Sequence, residues 1–136
     1  MEKEQDKEKG FEMYSGMAAH NIYAQNNIGI ESPIKLIEML YEGVLRFNAQ
    51  AKKAVKDGDI EKKLYWANRS INIILELIDV LDMEAGDISA YLSGLYNYQI
   101  QLLSEALISN DVSKIDECTH VFKTLLEAWR ESTNVA

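Results

Sequence analysis

The sequence predicts an all-α protein, an antiparallel four-helix bundle preceded by a short helical cap segment. Helix-breaking residues are scarce, with seven Gly and one Pro in 136 residues. From Ser32 onward, three short turn-like stretches divide the chain into four segments of helical length. Connections this brief hold neighbouring helices antiparallel, and a chain of this size suits one domain. We expect a charged flexible tail over residues 1–12, which hold almost no apolar side chains, and one helical domain over residues 13–136.

The turn residues set the expected limits of the helices. Ser32 and Pro33 suit the N-cap and the first position of a helix, because the N–H that proline lacks has no intrahelical partner there. Gly58 and Asn110 suit the left-handed conformation that often ends a helix. Each turn also offers an aspartate that can cap the next helix: Asp59, Asp87 and Asp111. The predicted helices are 33–56, 59–83, 87–109 and 111–131, with a short helical piece near 17–26.

The last predicted helix carries the narrow apolar stripe that one helix of a bundle needs. Its members recur at spacings of three and four residues: Ile115, Cys118, Phe122, Leu125 and Trp129. Val121 and Leu126 flank the stripe.

The first two helices are apolar over much more of their circumference. The arc on the first helix spans roughly 240°, where a bundle helix needs about 100°. The second helix combines a core row with a surplus row. The core row is Ile60, Leu64, Ala67, Ile71, Ile74, Ile78 and Leu81, and the surplus row is Trp66, Ile73, Leu77 and Val80. The surplus either packs on two neighbouring helices or forms a groove that receives another polypeptide as a helix.

Charge and composition narrow the classes of partner. Fourteen basic and twenty-two acidic residues give a net charge of −8, which disfavours binding to nucleic acid or to an anionic membrane. No apolar run reaches the roughly 18–20 residues that span a bilayer. The single cysteine, Cys118, fits a reducing compartment. We expect a cytoplasmic protein without nucleic-acid or membrane partners.

The residues that could carry catalysis are few, and we predict no catalytic residue, no metal site and no cofactor. Glu117 and His120 form one Glu-x-x-His motif, which occurs twice in diiron carboxylate bundles. Both lie roughly 140–160° from Phe122, the centre of the core stripe, and should point into solvent. Cys118 lies on the core stripe and should act as a small apolar side chain. A diiron bundle enzyme remains the alternative that this motif raises.

Several stretches in order along the chain resemble one family, the bacterial flagellar export chaperone FliS. They are Tyr23-Ala24-Gln25-Asn26, Ser32-Pro33, the run from Lys35 to Gly43, the run from Ile71 to Leu77, the run from Leu92 to Tyr98, Asn110-Asp111 and Glu127-Ala128-Trp129. The likeness covers roughly Met13 to Glu131.

The resemblance implies a cytoplasmic four-helix chaperone that is not an enzyme. Such proteins bind the disordered C-terminal segment of flagellin, prevent its premature polymerisation and deliver it to the flagellar type III export apparatus. Whether the flagellar anti-sigma factor or a co-chaperone is a further partner stays open. In the family a Tyr-containing N-terminal segment packs on the bundle and is displaced by flagellin, a role that maps onto Tyr23 with Asn26 and Ile28. His20 stands where the family often has a second Tyr or an apolar residue.

The predicted flagellin-binding residues join this segment to the surplus apolar rows. They are Tyr23, Asn26, Ile28, Leu36, Met39, Leu40, Tyr41, Phe47, Trp66, Ile73, Leu77, Val80, Tyr96 and Ile100. A structural homo-oligomer that buries the same rows against a second copy is the other alternative.

Overall fold

The structure is a computed structural model that describes residues 33–134. Within this range the chain forms four helices: α1 (Pro33–Asp57), α2 (Ile60–Asp79), α3 (Asp87–Ser109) and α4 (Val112–Thr133). Helix α1 packs on α2 and α4, and α3 packs on the same two helices from the opposite corner. The predicted all-α four-helix bundle is therefore confirmed. The predicted tail over 1–12 and helical piece near 17–26 lie outside the described residues.

Two of the three turns end and begin helices as the sequence predicts. Gly58 and Asn110 adopt left-handed backbone conformations, with φ of 69° and 59°. The side chain of Asp59 accepts a hydrogen bond from the Lys62 backbone N–H at 3.0 Å. The side chain of Asp111 accepts one from the backbone N–H two residues later, also at 3.0 Å. These local contacts satisfy N–H groups that a helix start leaves without an intrahelical partner.

The connection between α2 and α3 differs from the prediction. Helix α2 ends at Asp79, and the chain makes a 3₁₀ turn over Met83–Ala85 before α3 begins. Asp87 is the first residue of α3 and not its cap, because Gly86 takes the N-cap position with a φ of 96°, a conformation that L side chains rarely adopt. Asp82 caps the 3₁₀ turn instead, accepting from the Glu84 N–H at 3.0 Å.

The centre of the bundle is an aromatic cluster drawn from three helices. Phe122 contacts Tyr41 edge-on at 5.9 Å between ring centroids and stacks on Tyr96 at 6.1 Å. The two tyrosine hydroxyls share a hydrogen bond of 2.7 Å. Trp129 meets Tyr41 edge-on and donates its indole N–H to the Ile34 carbonyl at 3.0 Å. All five residues of the predicted α4 stripe are buried, which confirms that stripe.

Helix α2 turns a different face to the core from the one predicted. Ile60 is 66% exposed and Leu64 is exposed too, and Ile71 and Ile78 are only half-buried, although all four were expected in the core row. The buried positions of α2 are Lys63, Ala67, Ser70, Ile74 and Leu77. The core-facing side of α2 is thus rotated away from the predicted core row. It includes two polar residues, Lys63 and Ser70.

Both polar residues find partners on other helices, so their burial leaves no lost hydrogen bond. Lys63 Nζ donates to the Leu107 carbonyl at 2.9 Å and to Asn110 Oδ1 at 2.8 Å, at the C-terminal end of α3. Ser70 Oγ donates to Asn48 Oδ1 at 2.6 Å. These contacts explain why Lys63 and Ser70 occupy the core face that the sequence prediction gave to apolar side chains.

We expect Lys63→Met to lower the free energy of unfolding by about 1–3 kcal/mol, because it leaves a helix-terminal carbonyl and Asn110 Oδ1 without their donor. Urea denaturation measures the difference. The matched control is Lys53→Met, which removes the same charge from an exposed position on α1. Equal stabilities of the two variants would show that the buried lysine contributes packing alone.

Candidate functional site

The described surface carries an open apolar groove between α1 and α2, called here the α1–α2 groove. It is a depression of about 300 Å³ lined by Leu40, Phe47, Arg69, Asn72, Ile73 and Glu76. The two helices run antiparallel, so Phe47 faces the N-terminal half of α2, while Leu40 lies nearer its C-terminal half. Leu40 and Ile73 pack against the core but remain partly exposed, and Phe47 is half-buried.

Aromatic side chains wall one end of the groove. Phe47 of α1 stacks on Trp66 of α2, with ring centroids 5.6 Å apart and planes 29° from parallel. Tyr65 meets Trp66 edge-on at 4.8 Å and is 53% exposed. Offset and edge-on ring contacts stabilise such clusters beyond simple area burial, so this wall is a defined surface.

A glycine in the middle of α1 allows the two helices to approach closely at the groove floor. A Cβ placed on Gly43 would lie 2.7 Å from Ile73 Cδ1, closer than real Cβ atoms come to their neighbours. Glycine in a helix interior costs roughly 0.5–1 kcal/mol relative to alanine. The absence of a side chain at Gly43 therefore lets Ile73 lie against the α1 backbone.

We expect Gly43→Ala to change the shape of the groove more than the stability of the bundle. The gain in helix propensity, roughly 1 kcal/mol, opposes the cost of moving the end of the Ile73 side chain. Thermal denaturation should show a change within about 1 kcal/mol, and the tryptophan fluorescence should shift as the surroundings of Trp66 rearrange. Gly94→Ala on α3 is the control, since a Cβ there meets nothing within 4 Å. A severe loss of stability would show that Ile73 cannot move.

Two arginines lie along the aromatic end of the groove. The Arg69 guanidinium lies 4.8 Å from the centre of the Phe47 ring and donates to the Tyr65 hydroxyl at 3.3 Å. The Arg46 guanidinium lies 5.6 Å from the centre of the same ring. Within residues 33–134, no carboxylate forms an ion pair with either arginine.

The structure brings together part of the predicted binding set. Leu40 and Ile73 line the same depression, and Phe47 joins it to Trp66. Leu36 and Met39 lie on α1 toward its N-terminal end, and Met39 is 56% exposed. Within residues 33–134, both side chains are at least partly exposed.

Other members of the predicted set are in the core and cannot line an open groove. Tyr41, Tyr96 and Leu77 are fully buried, and Val80 is 8% exposed. The two tyrosines are buried because each hydroxyl finds the other across the bundle. Leu77 and Val80 are buried because the face of α2 that packs on the core is the one that carries Ser70. These two members of the predicted surplus row lie on that face.

The remaining predicted residues fall elsewhere. Ile100 is half-buried on α3, which is diagonal to α1 in the bundle, so it does not join the α1–α2 groove. Tyr23, Asn26 and Ile28 lie outside the described residues. Sequence reasoning missed the polar groove residues and Gly43, although Arg69 follows Trp66 by three positions and precedes Ile73 by four, a spacing that places all three on one helix face.

The described residues offer little for catalysis. Glu117 and His120 are exposed, as predicted. Burial raises the pKa of the Cys118 thiol to about 12, so this cysteine is a packing residue and a poor nucleophile. Residues 33–134 contain no group of three or more His, Cys, Asp or Glu side chains placed to hold a metal ion. No helix in the same range is long and apolar enough to cross a membrane.

Fold and groove together define a helical bundle with an exposed apolar groove, an architecture that suits binding of an amphipathic helix. Comparison with known proteins is consistent with this class. A sequence model of the family described as "Flagellar protein FliS" matches residues 15–136. The "Flagellar secretion chaperone FliS" of Campylobacter jejuni is 55% identical over 117 residues, covering 85% of this chain and 91% of the relative.

More distant relatives are also described as flagellar secretion chaperones. The "Flagellar secretion chaperone FliS" of Escherichia coli K12 is 32% identical over 123 residues, covering 85% of this chain and 90% of the relative. The "Flagellar secretion chaperone FliSB" of Pseudomonas aeruginosa is 34% identical over 122 residues, covering 86% and 96%. The chain belongs to the FliS family. It is a chaperone of flagellar export and not an enzyme.

Proposed function

We propose that this chaperone acts in the cytoplasm and binds the disordered C-terminal segment of flagellin in the α1–α2 groove. Binding would prevent premature polymerisation and deliver the segment to the flagellar type III export apparatus. The observation that carries the proposal is the row of partly exposed apolar side chains along both walls of the groove. Leu40 and Phe47 are seven residues apart on α1, and Trp66 and Ile73 are seven apart on α2.

This spacing suits a helical partner. A helix that lies in a groove contacts it through apolar anchors at i, i+3, i+4 and i+7, and residues seven apart on each wall lie two helical turns apart. A segment that is disordered when alone loses conformational entropy on binding, so it needs a large apolar surface to bind at all. The partly exposed groove residues supply such a surface.

The partner is proposed from the names of the relatives, which are flagellar secretion chaperones. Flagellin is the cargo that such a chaperone would hold before export. The flagellar anti-sigma factor or a co-chaperone, as a further partner, would need a surface of its own, because flagellin occupies the groove.

The direct test is calorimetric titration of the last forty or so residues of the organism's own flagellin into the full chain. We expect one segment per chaperone and a negative heat-capacity change, the signature of apolar burial. No heat and no change in the tryptophan fluorescence, to which Trp66 and Trp129 both contribute, would overturn the proposal. Light scattering distinguishes self-association, because a dimer that persists in the presence of the segment would place a second copy in the groove.

The N-terminal segment provides a separate prediction. We propose that Tyr23, together with Asn26 and Ile28, contributes to flagellin binding. Deleting residues 1–24 or replacing Tyr23 by Ala should weaken binding of the flagellin segment, because a tyrosine supplies both a packing ring and a hydroxyl to an interface. Titration of the segment into both variants measures the effect. Tighter binding would show that the N-terminal segment of the chaperone only competes with flagellin. Unchanged affinity would show that the N-terminal segment neither competes with flagellin nor contacts it.

A further inference from the structure

The charges at the two ends of the α1–α2 groove differ, and the difference suggests how a bound segment is oriented. Arg46 and Arg69 lie at the aromatic end, both over the ring of Phe47. Glu76 lines the groove seven residues beyond Arg69 along α2, two helical turns away. The groove is therefore cationic at one end and anionic at the other.

The two arginines differ from the third arginine of the chain in their partners. Arg130 pairs with Glu42 at 2.9 Å and approaches Glu38 at 3.8 Å. Arg46 and Arg69 instead lie against aromatic rings, and within residues 33–134 no carboxylate pairs with them. This occurs in a protein of net charge −8, where acidic side chains outnumber basic ones.

A guanidinium held against an aromatic face keeps its edge available for hydrogen bonds. Arg69 uses one donor on the Tyr65 hydroxyl, and a guanidinium has five. The fork of an arginine matches the two oxygens of a carboxylate, and such charge-assisted hydrogen bonds are roughly twice as strong as neutral ones. Pre-ordering by the rings reduces the side-chain entropy that each arginine would lose on binding.

We propose that Arg46 and Arg69 bind a carboxylate of the segment in the groove, at a position next to the apolar anchor that contacts Phe47. This inference rests on the proposed function and deepens it by naming the chemistry that the groove selects. Glu76 repels a carboxylate at the opposite end, so the segment binds in one direction. The occupant is thus a helical segment with an acidic residue within one turn of an apolar anchor.

The test is a titration of the same flagellin segment into the full chain and into Arg46→Met, Arg69→Met and the double variant. Methionine keeps an apolar stem of similar reach and removes the charge. We expect each single variant to bind roughly tenfold more weakly and to lose part of the dependence on salt. The control is Lys123→Met, which makes the same change in net charge at an exposed position on α4 and should not alter affinity.

A second series identifies the carboxylate. Each Asp and Glu of the segment is changed to Asn or Gln, and each altered segment is titrated into the wild-type chain and Arg69→Met. One substitution should weaken binding to the wild type but not to the variant, which is a double-mutant cycle with positive coupling. Glu76→Gln should reduce that coupling, because the change removes the charge that repels the carboxylate when the segment binds in the reverse direction.

The outcomes distinguish failure of this proposal from failure of the proposed function, which is flagellin binding in the α1–α2 groove. If the segment fails to bind the wild-type chain, the proposed function and this inference both fail. If it binds and no carboxylate couples to Arg69, only this inference fails. Thermal denaturation of each variant checks folding, and if Arg69→Met unfolds, Arg69→Lys decides the question, since lysine keeps the charge and loses the two-donor fork.

Discussion

Ile73→Asp should weaken binding of the flagellin segment at least a hundredfold, the largest effect on binding that the structure predicts. Ile73 lies in the groove against Gly43, half-buried, where a partner would cover the rest of its side chain. An aspartate there would have to lose its hydration in an apolar contact, and each 1.4 kcal/mol of that cost is a factor of about ten in affinity. Calorimetric titration of the segment measures the loss.

The control for this variant is Leu75→Asp on the same helix. Leu75 is 49% exposed and is not among the residues that line the α1–α2 groove. The Leu75→Asp substitution introduces the same charge two residues from Ile73. The affinity for the flagellin segment should stay within about twofold of the wild type, because charges at the rim of an interface contribute little to binding. If Leu75→Asp abolishes binding and Ile73→Asp does not, the binding surface is on the other flank of α2.

Stability must be measured beside affinity, because Ile73 also packs partly on the core. We expect Ile73→Asp to lower the free energy of unfolding by about 1–2 kcal/mol, within the range of ordinary substitutions. Ile74→Ala, at the fully buried neighbouring position, should cost about 2–5 kcal/mol. Complete unfolding of Ile73→Asp would place Ile73 in the core, and Ile73→Ala would then report on binding.

Phe122→Ala should produce the largest loss of stability, about 3–5 kcal/mol. Phe122 is fully buried and contacts both Tyr41 and Tyr96, so its removal leaves a cavity beside the hydroxyl pair that joins α1 to α3. Surrounding side chains in a close-packed core relax only partly into such a space. Urea denaturation of the variant and the wild type measures the difference.

Val121→Ala is the matched control, because Val121 is the preceding residue of α4 and is only half-buried. It should cost clearly less than Phe122→Ala. A loss below about 1 kcal/mol in Phe122→Ala would mean that the aromatic cluster collapses onto the cavity without penalty, contrary to the packing seen here.

Several features follow from the sequence because they depend on neighbours within a few residues. The α4 stripe from Ile115 to Trp129 is buried as predicted, because residues three and four apart share a helix face. Asp59 and Asp111 cap helices through the N–H groups two or three residues ahead. Left-handed Gly58 and Asn110 likewise end helices by local conformation alone.

Other features depended on the tertiary structure. Lys63 and Ser70 are buried on α2 only because Leu107, Asn110 and Asn48 supply their hydrogen bonds from other helices. The hydroxyls of Tyr41 and Tyr96 pair across 55 positions of sequence, which takes two predicted groove residues into the core. A polar side chain can be buried in a core when another helix supplies its hydrogen-bond partner. The spacing of apolar residues along one helix does not show whether such a partner exists. The sequence by itself therefore determined the helices, most of their ends and part of the exposed apolar surface on α1 and α2. Contacts between helices decided the rotation of α2 and the shape of the groove.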